Sequence, residues 1–277
     1  MSNSTTDQDL QTLIEFSRRY GADPSLVIAG GGNTSMKDGS VLTVKASGAA
    51  LGTIDEDGFV ALDLNKLLVI FDKTYPDSDR EREAAFLADV QAAKLPGQGG
   101  KRPSVEALLH ALFPQRYVLH LHPTLVNGLT CAVDGEMWAA KLFPDALWVP
   151  ECRPGYTLAK LLSERMKPGA DTVLLQNHGV FFAADDAEEL GRMLNGMLDA
   201  IVECILPPLS QPFTPDQIVY CGVGPELPDN GTAHAVYADA AQVAQYSNYF
   251  GGPRPMSPEL KDFIDNWEAE SYRKSKS

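Results

Sequence analysis

Cysteine is scarce in this chain. Four occur among the 277 residues, Cys131, Cys152, Cys204 and Cys221, and no two form a C-x-x-C pair or a disulfide-like spacing. With no secretory leader legible at the N-terminus, the thiols are expected to be reduced and the protein cytoplasmic. No apolar run approaches the about 20 residues that a bilayer span requires, so no membrane span is expected. Positive charge is also short. Lys and Arg number 23 against 37 acidic residues, for a net charge of −14 and a pI near 4.7. Such a surface argues against nucleic acid or an anionic membrane as partner, though not against a small anion in a donor-rich pocket. Internal repeats and a G-x-G-x-x-G fingerprint are missing too, and compositional bias is confined to the polar ends, Met1–Thr6 and Arg273–Ser277.

What is present is a core-sized apolar share, 44% of residues. The length fits one large domain or two small ones. Histidine numbers only five, so candidate ligands are quickly counted. The most informative stretch is Tyr117-Val118-Leu119-His120-Leu121-His122-Pro123. It reads as a buried strand, and alternation puts His120 and His122 on one face. A lone histidine there would be an ordinary core residue. A His-x-His pair is evenly balanced between core and metal site, and a catalytic metal needs a third protein ligand and an open position. His178, in Asn177-His178-Gly179 at the end of an apolar strand Asp171–Gln176, is the third candidate; turn chemistry is its alternative. His234 lies in a polar helical stretch and reads as a surface residue.

Ahead of this strand, periodicity predicts a helix around Leu10–Ser17 with Gly21 beyond its end. A short strand Leu26–Ala29 follows. Gly30-Gly31-Gly32-Asn33-Thr34-Ser35 then enters a hairpin, Thr34–Lys37 and Val41–Ala46, closed at Asp38-Gly39. A glycine-rich loop exposing N–H groups suits an anion, but a tight turn without a ligand is the commoner outcome. Further expected elements are the strand Phe59–Leu62, a helix Leu64–Ile70 capped by Asp63, and a long helix Pro76–Lys94. The basic, glycine-rich loop Pro96–Pro103 looks mobile. Ser104 is read as capping a helix Val105–Phe113. Glu106 would then sit in its first turn, where a carboxylate complements the helix dipole by a few tenths of a kcal/mol. The same helix start is an anion site. His110, four residues on, reads as a hydrogen-bonded helix histidine. Beyond the His-x-His strand come helices Thr124–Ala132, Gly135–Leu142 and Thr157–Met166. A strand Ala146–Pro150, an extended Val180–Ala183 and a long helix from Asp185 or Asp186 to Leu206 complete this part. The tail carries helices near Thr232–Tyr246 and Pro258–Glu270.

Taken in order, Gly-Gly-Gly32-Asn33-Thr-Ser, Lys-Ala-Ser47-Gly48, Pro-Ser104-Val-Glu106, His120-x-His122 and Gln-Asn-His178-Gly179 resemble the class II aldolase/adducin family. The likeness runs from about Leu10 to Leu206. It is strongest to the L-fuculose-1-phosphate and L-rhamnulose-1-phosphate aldolases, above all to the aldolase half of the bifunctional rhamnulose-phosphate aldolase/dehydrogenases. The resemblance implies an α/β fold, three-layer α/β/α with a mainly antiparallel sheet, over residues 1–206, and a helical extension over 207–277 packed on it. It implies a homotetramer, with zinc or another divalent ion on His120, His122 and His178. Glu106 would be acid/base and a fourth ligand when substrate is absent. Gly32, Asn33, Ser47, Gly48 and Ser104 would hold a substrate phosphate. One departure is Val105, where the fuculose-phosphate enzymes carry a serine. Tyr156 and Glu151 are the nearest candidates for protonating the aldehyde oxygen.

The implied reaction is cleavage of a ketose 1-phosphate through a metal-stabilised enediolate, most plausibly L-rhamnulose 1-phosphate to glycerone phosphate and L-lactaldehyde. Three imidazoles with open positions suit that Lewis-acid role, and a nearby carboxylate suits the proton transfer. A decarboxylase on the same scaffold and a pentulose-phosphate 4-epimerase are the alternatives. Related epimerases carry Asp at the position of Glu106. A non-catalytic adducin-like module would be expected to have lost the histidines.

Overall fold

Gly39 adopts a φ of 56°, where a β-carbon is disfavoured, and the chain reverses there. Strands β1 (Asn33–Asp38) and β2 (Val41–Lys45) pair antiparallel on either side, with Asp38 opposite Val41. The structure, a computed structural model, describes residues 3–205 and 257–265 and the single positions 237, 241 and 245. The expected helix near Thr232–Tyr246, His234 and Cys221 lie outside the described residues. Cys131, Cys152 and Cys204 are free thiols.

The hairpin is one side of a seven-stranded sheet. Strand β3 (Phe59–Asp63) flanks β2, and β4 (Tyr117–Leu121) flanks β1. Then come β5 (Leu147–Val149), β6 (Thr172–Leu175) and β7 (Gly179–Ala184), giving the spatial order β3-β2-β1-β4-β7-β6-β5. Every pairing is antiparallel except β5 with β6. The expected α/β fold with a mainly antiparallel sheet is therefore present.

Helices cover both faces. On one lie α2 (Leu64–Val69), α3 (Asp79–Ala92), α4 (Ala107–Leu112) and α7 (Tyr156–Arg165). Their Leu67, Phe86, Leu108 and Leu162 pack on Val44, Leu62, Val118 and Phe181 of the sheet in one continuous core. On the other, α1 (Asn3–Gly21) crosses β1, where the hydroxyls of Ser17 and Thr34 meet at 2.7 Å. Thr34 and Ser35 thus point to opposite faces, as strand alternation demands. Helices α5 (Thr124–Thr130), α6 (Gly135–Leu142) and α8 (Ala187–Ile205) complete the set to residue 205. The chain divides into two compact units, Met1–Leu198 and Asp199–Ser277; the second contains α9 (Pro258–Asp265).

Two expectations are corrected. Leu26–Ala29 is not a strand: the amides of Leu26 and Val27 both turn back to the Asp23 carbonyl, and Ala29 has a φ of 54°. The helix expected from Val105 starts at Ala107 instead. Ser104 still acts locally, its hydroxyl accepting from the Glu106 amide at 3.2 Å. That bond shapes a turn ahead of the helix, so Glu106 becomes the N-cap rather than a first-turn residue.

Candidate metal centre

Strand β4 presents His120 toward α4, with His122 one residue past its end, and the antiparallel register places Asn33 of β1 and Phe181 of β7 opposite His120. His120 is fully buried and stacks on the Phe181 ring, with centroids 4.0 Å apart and planes 15° from parallel. Its Nδ1–H donates to the Val180 carbonyl at 3.0 Å. In a neutral imidazole that leaves Nε2 as a lone-pair donor. Burial holds the pKa of His120 well below the usual range, and the neighbouring His122 and His178 push the same way. Burial also lowers that of His122, again with His178 acting beside it. Burial thus favours the neutral form of both rings, the form that binds a metal.

His178 reaches the same place from the β6–β7 turn. Asn177 adopts the left-handed φ of 58° and its amide donates to the Thr130 carbonyl at 3.2 Å. Gly179 follows because nothing larger fits: a β-carbon there would lie 2.3 Å from the Leu121 carbonyl oxygen and 2.8 Å from the His122 ring. One ligand nitrogen from each of His120, His122 and His178 falls within 4.8 Å of the others. The Nε2 atoms of His120 and His122 are 3.0 Å apart. Two nitrogens on one tetrahedral zinc at about 2.0–2.1 Å lie roughly 3.3 Å apart. The donor set and its spacing fit a divalent ion, with imidazole suiting zinc among others.

Glu106 stands beside these rings, nearly buried. Its Oε1 is 3.5 Å from Nε2 of His120 and 3.3 Å from Nε2 of His178. Its Oε2 accepts from the Asn33 side-chain amide at 2.5 Å. The Asn33 carbonyl oxygen accepts from His110 Nε2, and His110 Nδ1 meets the Ser35 hydroxyl at 2.7 Å. His110 is thus the hydrogen-bonded helix histidine that was expected.

The proposed phosphate-holding residues are dispersed around this centre. Gly32, at a φ of 63°, runs so close to β4 that a β-carbon would sit 2.9 Å from the His120 carbonyl. The Asn33 side chain is spent on Glu106 and His110. Ser104 is buried against the Glu106 amide, while Ser47 and Gly48 are exposed in the loop after β2. Ser47 lines a cavity of about 350 Å³ with Arg102 and Val105. Tyr156 packs on Tyr75 and Phe86 and its hydroxyl donates to the Lys73 carbonyl at 3.4 Å; Glu151 is exposed, with its amide held by the Gln176 side chain.

Two residues were missed. Lys45 is buried, and its ammonium donates to the carbonyls of Gly30 at 2.9 Å and Ala49 at 2.7 Å, tying together the two glycine-bearing loops. Burial lowers its pKa and the Glu106 charge opposes that. A lysine among the strand's apolar residues was the available signal. Gly31 is the other: its β-carbon would stand 3.3 Å from His122 Nδ1.

Residues 11–197 match the class II aldolase and adducin N-terminal domain. The chain belongs to this family. Class II aldolases are metal-dependent, and the three histidines are where a metal would bind. A curated relative in Bacillus subtilis, an uncharacterized oxidoreductase named YuxG, is 31% identical over 192 residues. That match covers 65% of this chain but only 27% of the relative, so the chain spans about a quarter of its length. The L-fuculose phosphate aldolase of Methanocaldococcus jannaschii is 23% identical over 178 residues, 64% of this chain and 85% of that enzyme. Among solved structures, the N-terminal class II aldolase domain of a conserved protein from Thermoplasma acidophilum superposes with a TM-score of 0.62 at 29% identity, over 71% of this chain and 93% of that one.

Proposed function

We propose that this class II aldolase family member is a metal-dependent lyase that cleaves a ketose 1-phosphate, with L-rhamnulose 1-phosphate yielding glycerone phosphate and L-lactaldehyde. The observation that carries this reading is the divided carboxylate of Glu106. One oxygen is held by Asn33 at 2.5 Å, and the other faces the histidine nitrogens at 3.3 and 3.5 Å. A divalent cation, zinc in this reading, supplies when bound the Lewis acidity that stabilises negative charge left by carbon–carbon cleavage. His120, His122 and His178 would hold it, with Glu106 as a further ligand before substrate arrives. Glu106 Oε1 then moves the proton at the carbon that carries this charge. Gly32, Asn33, Ser47, Gly48 and Ser104 would seat the phosphate, Asn33 through its backbone. The Ser47 cavity supports an anionic group there, because Arg102 is among its lining residues and its side chain has no ion-pair partner among the described residues.

The same reading carries a homotetrameric assembly, a cytoplasmic location, and neither nucleic acid nor membrane as partner. Among the described residues no helix is long and apolar enough to cross a membrane. The test is release of glycerone phosphate from L-rhamnulose 1-phosphate with and without a chelator. Chelator-sensitive release is expected. Bound metal with no release from any ketose 1-phosphate would overturn it and favour the decarboxylase or pentulose-phosphate 4-epimerase on the same scaffold.

A further inference from the structure

The chain of contacts behind Glu106 has a direction. A carboxylate oxygen only accepts, so the Asn33 amide must present its NH₂ group to Oε2. Its Oδ1 is then left facing His110, and it too only accepts, so His110 carries its proton on Nε2. His110 is fully buried between the uncharged side chains of Asn33 and Ser35, where a neutral ring is far cheaper to bury than a charged one. A neutral ring protonated on Nε2 must accept at Nδ1, so the Ser35 hydroxyl donates to it. Ser35 to His110 to Asn33 to Glu106 is one polarised row with every role assigned.

We propose that His110 is a positioning residue: through the Asn33 amide it fixes which oxygen of Glu106 is free to exchange a proton. This rests on the acid/base role proposed for Glu106. The backbone reinforces the row. His110 lies one turn past Glu106 in α4 and its amide donates to the Glu106 carbonyl at 3.3 Å. The sheet supplies the rest, because Asn33 and Ser35 sit two apart on β1 and so share the face that looks at α4. Without His110, only Glu106 itself orients the Asn33 amide, and the amide oxygen loses its donor. A flipped amide would set its carbonyl oxygen against Oε2, and two acceptors at that distance repel. The carboxylate would then rotate or hold its proton on the wrong oxygen. A leucine would fill this apolar pocket beside Phe181 without the cost of burying an imidazole. The histidine earns its place through the polarity it imposes on Asn33.

The test compares His110→Leu, His110→Gln and Ser35→Ala with the wild type, each with metal loaded. Crystal structures report the Glu106 carboxylate, and retro-aldol assays report kcat, KM and bound metal. In His110→Leu, Glu106 is expected to leave its wild-type orientation. Its kcat should fall about 10- to 100-fold, the usual effect of losing a partner one shell out, with KM and metal content held within about twofold. Glutamine keeps a donor near the Nε2 position and should restore most of the loss. Ser35→Ala should lower kcat about 3- to 10-fold. The proposal is overturned if His110→Leu keeps the carboxylate in place or keeps kcat within twofold. It is equally overturned if metal and activity vanish together and glutamine restores neither. Should His110→Leu not fold, an unchanged kcat in Ser35→Ala overturns it. If the wild type cleaves no ketose phosphate, the reaction assigned above fails, while the orientation of Glu106 in the variant crystals still decides the role of His110.

Discussion

Replacing Gly179 by alanine probes the metal centre without touching a ligand. The added β-carbon would start 2.3 Å from the Leu121 carbonyl oxygen and 2.8 Å from His122 Cδ2. Ordinary carbon–oxygen contacts are about 3.3 Å or longer, so β7 must part from β4 by about 1 Å at its first residue. Overpacking of this kind costs about 1–3 kcal/mol. For a domain of this size each kcal/mol moves the melting temperature by about 2–4 °C, so a fall of roughly 2–12 °C is expected. The ring must also yield by more than half an ångström, which should weaken metal affinity about 10- to 100-fold. Two comparisons sharpen the reading. Gly31→Ala meets His122 Nδ1 at 3.3 Å and the Ile28 carbonyl at 3.1 Å, so it should loosen metal binding mildly and hardly change melting. Gly128→Ala, exposed in α5 with nothing within 4 Å, should gain up to about 1 kcal/mol from helix propensity. The measurements are thermal melts of metal-free protein and zinc titration with a competing chelator. A Gly179→Ala protein that melts and binds zinc like the wild type would refute the reasoning.

His122→Ala should remove metal and activity together while leaving a folded chain, because this ring is only partly buried; a folded variant that still binds metal stoichiometrically would sink its assignment as a ligand. Glu106→Gln should keep the metal and lose about 100- to 10,000-fold in kcat, read by glycerone phosphate release; a loss below threefold would remove Glu106 from the proton transfer. Burial lowers the pKa of Lys37 to about 7, while its ammonium donates to the Gln115 carbonyl at 3.1 Å. The unfolded lysine keeps its proton to about pH 10.4, so between about 7 and 10.4 the unfolded chain binds more protons and stability rises with pH. Lys37→Met should therefore be the more stable protein at pH 7, by about 1–3 kcal/mol. That advantage should shrink by up to about 1.4 kcal/mol per pH unit on the way to pH 10, followed by denaturant unfolding. A difference that stays flat with pH would contradict it.

The legible parts of this protein were those with a local signature. The Asp38-Gly39 turn, the alternation that aims His120 and His122 one way, and the His-Gly at the end of β6 need only neighbours in sequence. What escaped depends on hydrogen bonds that composition does not register, some local and some between residues far apart. Leu26–Ala29 has the composition of a strand, but its amides bond back to Asp23, which periodicity does not register. Ser104 has the chemistry of a helix cap, yet its hydroxyl closes a turn two residues short of the helix. Asn33 resembles a phosphate-loop residue. Only the pairing of β1 with β4 shows its amide turned inward to Glu106. Lys45 was hidden for the same reason, since its partners at Gly30 and Ala49 meet only once the loops have closed.

The three histidines also have a bearing on how long the protein lasts. His120 and His122 stand at the end of β4, and His178 in the turn before β7, so an ion among them staples adjacent strands of the central sheet. A folded chain that binds such an ion, with an unfolded chain that binds it poorly, would gain about 1.4 kcal/mol of stability for each tenfold rise in free cation above the dissociation constant. Metal supply would then bear on abundance as well as activity. A cell starved of the ion would lose the protein itself to unfolding and proteolysis, rather than keep a reserve of idle enzyme.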